Sequence, residues 1–254
     1  MNGICPDGSV PNSVHARCLP DYLSEAGYRT IHVGKAHFGA SDTPGADPVN
    51  LGFDVNIAGH AAGGPGSYLS EQGFSAAWRG GDLFWDVPGL EAYHNTGTFL
   101  TEALTREAIR EVKTSVERRQ PFFLYMSHYA VHVPFAEDRR FIRRYIDAGL
   151  DHTEAMYAAL IEGMDKSLGD ILDALEALNI ADNTIVMFMS DNGGLSAHGR
   201  GGEPHTHNKP HRNRCTDALR QEDRKAYPPA GSSPAGSLRQ TEVQPWPTMN
   251  RRTT

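Results

Sequence analysis

The sequence predicts an α/β protein: a partial, layered, mostly parallel sheet flanked by helices, followed by a disordered C-terminal tail. Two observations carry the sheet. Helical and extended patterns alternate along the chain, and two of the extended runs are apolar throughout, as strands covered on both faces are. A third observation carries the tail. Residues 211–254 hold eight Lys/Arg against four Asp/Glu, five prolines and neither Ile nor Phe. Their apolar residues follow no helical or strand period, so the segment has too little to bury to offset its chain entropy.

The elements follow in order. Leu19 to Gly27 reads as a short helix stopped by Gly27, and Arg29 to Val33 as the strand behind it. Gly39 to Gly89 is Gly-rich and weakly periodic, with turn signals at Gly63-Gly64-Pro65-Gly66 and Gly80-Gly81-Asp82. Long irregular segments of this kind build the walls of sites. From about Thr98 to Arg118 the residues Leu100, Leu104, Ala108, Val112 and Val116 recur every fourth position, a helix that Pro121 closes before the strand Phe122 to Met126. A second long helix runs from about Thr153 to Leu178, with Met156, Leu160, Met164, Leu168, Ile171 and Leu175 on one face. It leads to Thr184-Ile185-Val186-Met187-Phe188-Met189, read as another buried strand. The expected division is a patterned α/β part over 1–210 and an unpatterned, basic, Pro-rich tail over 211–254.

Composition excludes several functions. The chain has 254 residues, 39% hydrophobic and 22% charged, which is globular material. A formal charge of -7 argues against a phosphate-backbone binder, so nucleic acid is not an expected partner. No apolar run approaches the roughly 18 residues of a membrane span, and the opening MNGICPDGSVPNSV lacks a signal peptide's apolar region. No membrane partner is expected. Cys5, Cys18 and Cys215 are too few and too scattered for a disulfide framework or a thiolate zinc site.

In open parallel sheets ligands gather at the carboxyl ends of the strands. Each of the three predicted strands ends in polar residues. Gly34-Lys35-Ala36-His37 follows the first, Ser127-His128-Tyr129-Ala130-Val131-His132 the second, and Ser190-Asp191-Asn192-Gly193-Gly194 the third. Lys35 supplies a point charge for an anionic group, while His37 and His132 can move protons near neutral pH. Asp191 and the amide oxygen of Asn192 are hard ligands suited to Ca²⁺ or Mg²⁺. Taken singly, each piece has an ordinary explanation as a turn or a solvated side chain; placement at three strand ends is what joins them into an oxyanion site. The run His198, His205, His207, His211 matches no metal-binding spacing and reads as a loop bordering the site.

These residues also resemble a family. Gly27 to Gly39 resembles the G-Y-x-T-x-x-x-G-K-x-H signature of the type I sulfatases, or arylsulfatases, Ser127 to Phe135 their S-H-Y-A-V-H-x-P element, and Ser190 to Gly194 their metal-binding D-N-G. The resemblance implies the layered α/β fold of the alkaline phosphatase superfamily and hydrolysis of sulfate esters, with a sulfated small molecule or glycan as partner. It implies that Lys35 and His132 contact substrate and that His37 hydrogen-bonds a formylglycine nucleophile made from Cys or Ser. His132 would act as general acid on the leaving oxygen, and Asp191 and Asn192 would ligate one Ca²⁺.

The sequence departs from the family at both ends. The nucleophile motif C/S-x-P-S-R is absent, and neither Cys5 nor Cys18 has its context. The family's N-terminal pair of metal-binding aspartates is absent too, so the resemblance implies that Met1 corresponds to an internal position and that 1–210 is a partial sulfatase catalytic domain. After Asn208-Lys209-Pro210 the family's L-R-x-G-K-G is replaced by His211-Arg212-Asn213-Arg214-Cys215, an abrupt change of the kind a shifted reading frame produces. This chain by itself is therefore expected to be inactive. A phosphodiesterase or phosphonate hydrolase of the same superfamily and a non-catalytic anion-binding protein are the alternatives.

Overall fold

A computed structural model describes residues 17–191. The expected tail, the boundary at residue 210, Asn192 and the four-histidine run all lie outside them. Three parallel strands form the sheet, β1 (Arg29–Gly34), β2 (Val55–Ile57) and β3 (Phe122–Ser127), in the order β2-β1-β3. Helix α1 (Leu19–Glu25) leads into β1, and α2 (Leu100–Glu117) leads into β3. Helices α3 (Ile142–Asp147) and α4 (His152–Ala177) follow, with α4 packed along α2. None of the helices among the described residues is long and apolar enough to cross a membrane.

Strand β1 is the centre of the fold. All six of its residues are buried, because β2 and β3 pair with its two edges and α1 and α2 pack against it. Its register with β3 runs in step from Arg29 opposite Phe122 to Gly34 opposite Ser127. Ile31 and Val33 enter a core that also holds Tyr68, Phe74, Leu100, Leu104 and Leu160. Strand β2 was not legible in the Gly-rich stretch. It is only three residues long, and side chains hold it as much as its ladder does: Thr30 N–H donates to Asp54 Oδ2 at 2.9 Å, and Asp54 N–H donates back to Thr30 Oγ1 at 2.9 Å.

The sequence-based reading of two fully buried strands is corrected. β3 is only partly buried, with Tyr125 43% exposed, because its outer edge has no partner strand among the described residues. Thr184 to Met189 forms no strand at all. Ile185 is 89% exposed and Met189 78%. Apolar composition made this run look like a buried strand, but a strand exists only where a neighbour takes up its backbone N–H and C=O groups. No such neighbour lies beside it in the described residues.

One buried ion pair joins α2 to the sheet. Arg29, at the start of β1, is paired with Glu111 of α2, and its Nη1 also donates to Glu111 O and Ser115 Oγ at 3.1 Å each. Both residues are under 9% exposed. Removing one partner leaves a buried charge uncompensated, which costs about 3–5 kcal/mol. Glu111→Ala is therefore expected to lower the unfolding free energy by that amount in a urea titration followed by circular dichroism; a change within about 0.5 kcal/mol, as at an ordinary surface site, would show that the pair does not hold α2 in place.

Candidate functional site

The site begins where β1 and β3 end side by side. Gly34 has φ +104, and a Cβ placed there would lie 1.8 Å from the carbonyl oxygen of Ser127. Only glycine permits that approach. It lets the ladder continue one residue beyond the strand, with Lys35 N–H donating to Ser127 O at 2.8 Å. Lys35 is thereby fixed by its backbone at the carboxyl edge of the sheet.

His37 follows in the left-handed region at φ 56, and its N–H donates to His60 O at 3.0 Å. His132 lies in the segment after β3. Its Nδ1 is 2.7 Å from Val133 O, so Nδ1 carries the proton that is donated there and Nε2 is left to exchange protons with a ligand. Its carbonyl and that of Tyr129 both lie 2.8 Å from the buried hydroxyl of Tyr68, which anchors this loop to the core.

The two imidazoles are brought together by a pair of glycines. A Cβ at Gly63 would sit 2.7 Å from the ring of His37, and one at Gly64 would sit 2.6 Å from the ring of His132. Sequence reasoning took these glycines for turn residues. Their role as the floor under both rings carries no local signal, because Gly63 meets His37 and Gly64 meets His132 only across long separations in sequence.

Burial sets the protonation of the histidines around this edge. The pKa of His37 is lowered by burial first and by the neighbouring charges of Lys35 and His132 second. His60 is also lowered, chiefly by burial, and its Nδ1 lies 3.0 Å from the hydroxyl of Tyr129. It was not singled out from the sequence, though its carbonyl holds His37. His32 and His128 are lowered to about 4, in both cases by burial. His32 is fully buried on β1, and it packs 5.5 Å from Phe38, 5.3 Å from Phe53 and 5.7 Å from Tyr125. It is a neutral part of the platform beneath the site.

Asp191 stands exposed two residues after the unpaired Thr184 to Met189 run, and Asn192 lies outside the described residues. No group of three or more His, Cys, Asp or Glu among the described residues is placed to hold a metal. As described, the donor set does not fit Ca²⁺, which takes six to eight oxygens.

A sulfatase family model matches residues 3–215 of the chain. The chain belongs to the sulfatase family. It is 32% identical over 206 residues to the N-acetylgalactosamine-6-sulfatase of Mus musculus, covering 77% of this chain and 36% of that protein. It is 29% identical over 176 residues to arylsulfatase J of Mus musculus, covering 69% of this chain and 29% of that one. Among solved structures, it resembles Ps i-CgsB in complex with k-i-k-neocarrahexaose, with a TM-score of 0.62, 28% identity, and coverage of 77% of this chain and 44% of that one. This sulfatase chain thus spans about a third of the length of the curated relatives it matches.

The buried histidines make folding pH-dependent. The ordinary pKa of His is near 6.5, so between pH 6.5 and 4 the unfolded chain binds protons that folded His32 refuses. Stability is full above about pH 6.5 and is lost as pH falls toward about 4, by about 3 kcal/mol from His32 alone. Urea titrations at pH 7 and pH 4.5 are expected to show the loss, and His32→Leu is expected to reduce the difference; an unchanged difference in that variant would contradict a neutral His32.

Proposed function

We propose that this chain carries the sulfate-binding and leaving-group side of a sulfuric ester hydrolase site, acting on a sulfated small molecule or glycan. The observation that carries the reading is the convergence of Lys35, His37 and His132 on one sheet edge, with both imidazoles seated on Gly63-Gly64. A sulfate ester carries its charge on the sulfuryl oxygens, and fixed positive charge at that point stabilises its transition state more than its ground state. Lys35 supplies that charge. When an oxygen nucleophile attacks sulfur and the S–O bond to the alcohol breaks, the alkoxide oxygen needs a proton. His132 as the imidazolium delivers it from Nε2 and is left neutral, with Nδ1–H still donating to Val133 O. His37, kept mainly neutral at pH 7, accepts a hydrogen bond from the nucleophile.

The names of the relatives support the same class of chemistry. The nucleophile itself is the missing part: Cys18 occupies the N-cap of α1, and its sequence context, like that of Cys5, is not that of a formylglycine precursor. The oxygen chemistry of Asp191 and Asn192 supports Ca²⁺ as the ion of a complete site, and the steps above do not use it. This chain alone is proposed to bind sulfate without turning over its ester.

Calorimetric titration of the full chain with sodium sulfate at low salt tests the reading. Lys35→Ala is expected to weaken binding about tenfold or more. Affinity is expected to rise as pH falls below 6.5, because protonation of His37 adds positive charge facing the anion, and His37→Gln is expected to flatten that rise. Binding indifferent to Lys35 would sink the assignment. Release of 4-nitrophenol from 4-nitrophenyl sulfate by the purified chain would overturn the proposed inactivity.

A further inference from the structure

A cavity of about 350 Å³ opens beside His132, walled by Arg79, Gly80, Gly81, Trp85 and Pro65. Lys35 and His37 do not line it. It is within the roughly 300–1,000 Å³ range of small-molecule sites, and it adjoins the proposed proton donor rather than the sulfate-binding lysine. That position belongs to the leaving alcohol, since the oxygen that takes the proton from His132 must lie between the sulfur and the rest of the substrate.

The part of the wall from Arg79 to Trp85 is held in shape by its own hydrogen bonds. Arg79 ends the short 3-10 turn Ala77–Arg79, and Trp85 ends the next, Leu83–Trp85. Asp82 Oδ1 caps the second turn by accepting from Phe84 N–H at 3.1 Å. Asp86 Oδ1 accepts from Ala76 N–H at 3.2 Å, which ties the two ends of the loop together. Trp78 Nε1–H donates to Gly66 O at 3.2 Å, which ties the loop to the glycine-rich segment under the imidazoles. Arg79 itself is exposed and has no ion pair among the described residues; its guanidinium lies 6.0 Å from the ring of Trp78. An unpaired guanidinium with a preset aromatic neighbour is suited to grip a planar or tetrahedral anion through two N–H groups.

Resting on the proposed sulfatase reading, we infer that this cavity receives the leaving sugar ring of a sulfated glycan. Trp85 lies against an apolar C–H face of the ring, and Arg79 pairs with a second sulfate on that ring or its neighbour. The substrate class is thereby narrowed to multiply sulfated sugars. A simple aryl sulfate has a flat ring for Trp85 but nothing for Arg79.

Calorimetry on the full chain with three probes separates this inference from the reading beneath it: inorganic sulfate, methyl galactoside 6-sulfate and methyl galactoside 4,6-disulfate. The wild-type chain is expected to bind the disulfate about tenfold tighter than the monosulfate. Arg79→Ala is expected to bring that ratio close to one while leaving affinity for inorganic sulfate unchanged, and Arg79→Lys to keep part of it. Trp85→Ala is expected to weaken both glycosides alike. Near-UV circular dichroism confirms that each variant is folded; should Trp85→Ala fail this check, the Arg79 variants decide. A wild-type ratio near one, or a ratio indifferent to Arg79, overturns the cavity assignment while leaving the sulfate site standing. Failure of the wild-type chain to bind even inorganic sulfate overturns both.

Discussion

The arrangement of the site depends on a single close contact, the approach of Gly34 to the carbonyl of Ser127. Parallel strands normally diverge into separate loops at their ends, but here the backbone ladder runs past the last strand residues to Lys35 N–H. Any side chain at position 34 would collide with Ser127 O. Because β1 and β3 are locked in register up to this point, the loop carrying Lys35 and His37 and the loop carrying His132 leave the sheet from neighbouring points. Their side chains can then meet without the chain having to order a long loop for the purpose, which would cost entropy for every residue fixed.

Below that edge the histidines form a gradient of environment. His32 lies within the sheet among aromatic rings, uncharged and out of reach of water. His60 is half-buried, with its Nδ1 against the Tyr129 hydroxyl. His37 and His132 are exposed. The same side chain therefore serves as neutral packing material at one depth and stands in solvent at another, and burial rather than residue type decides which. The neutral platform carries a cost in acid, where protonation favours the unfolded chain, but it keeps competing positive charge and water away from the base of the site.

How far the sequence could be read depended on the range of the interactions involved. β1, α2 and α4 were legible because their apolar periods and stop signals are local: Gly27 ends the turn after α1, and Pro121 separates α2 from β3. The placement of Lys35, His37 and His132 just beyond two strands was legible because polar residues follow both apolar runs in the sequence. β2 was not, since three residues carry no measurable period and its Thr30 to Asp54 bonds are tertiary. Nor were Gly63 and Gly64, whose contacts with His37 and His132 exist only after folding. The Arg79 to Trp85 wall was legible only as irregular structure, because its shape comes from caps and backbone bonds rather than from a repeating pattern.

The misreading of Thr184 to Met189 is informative for the same reason. Its composition and that of β3 are both those of strands with covered faces, yet β3 has one neighbour and the later run has none in the described residues. Composition records the environment in which a strand is stable, while burial records the partners actually present; where the two disagree, a partner is what separates them. Asp191 comes two residues after that run, and a strand end is placed only by its ladder. The residues that follow β1 and β3 are set side by side by the ladder those two strands share, whereas the residues after Met189 have no such ladder among the described residues.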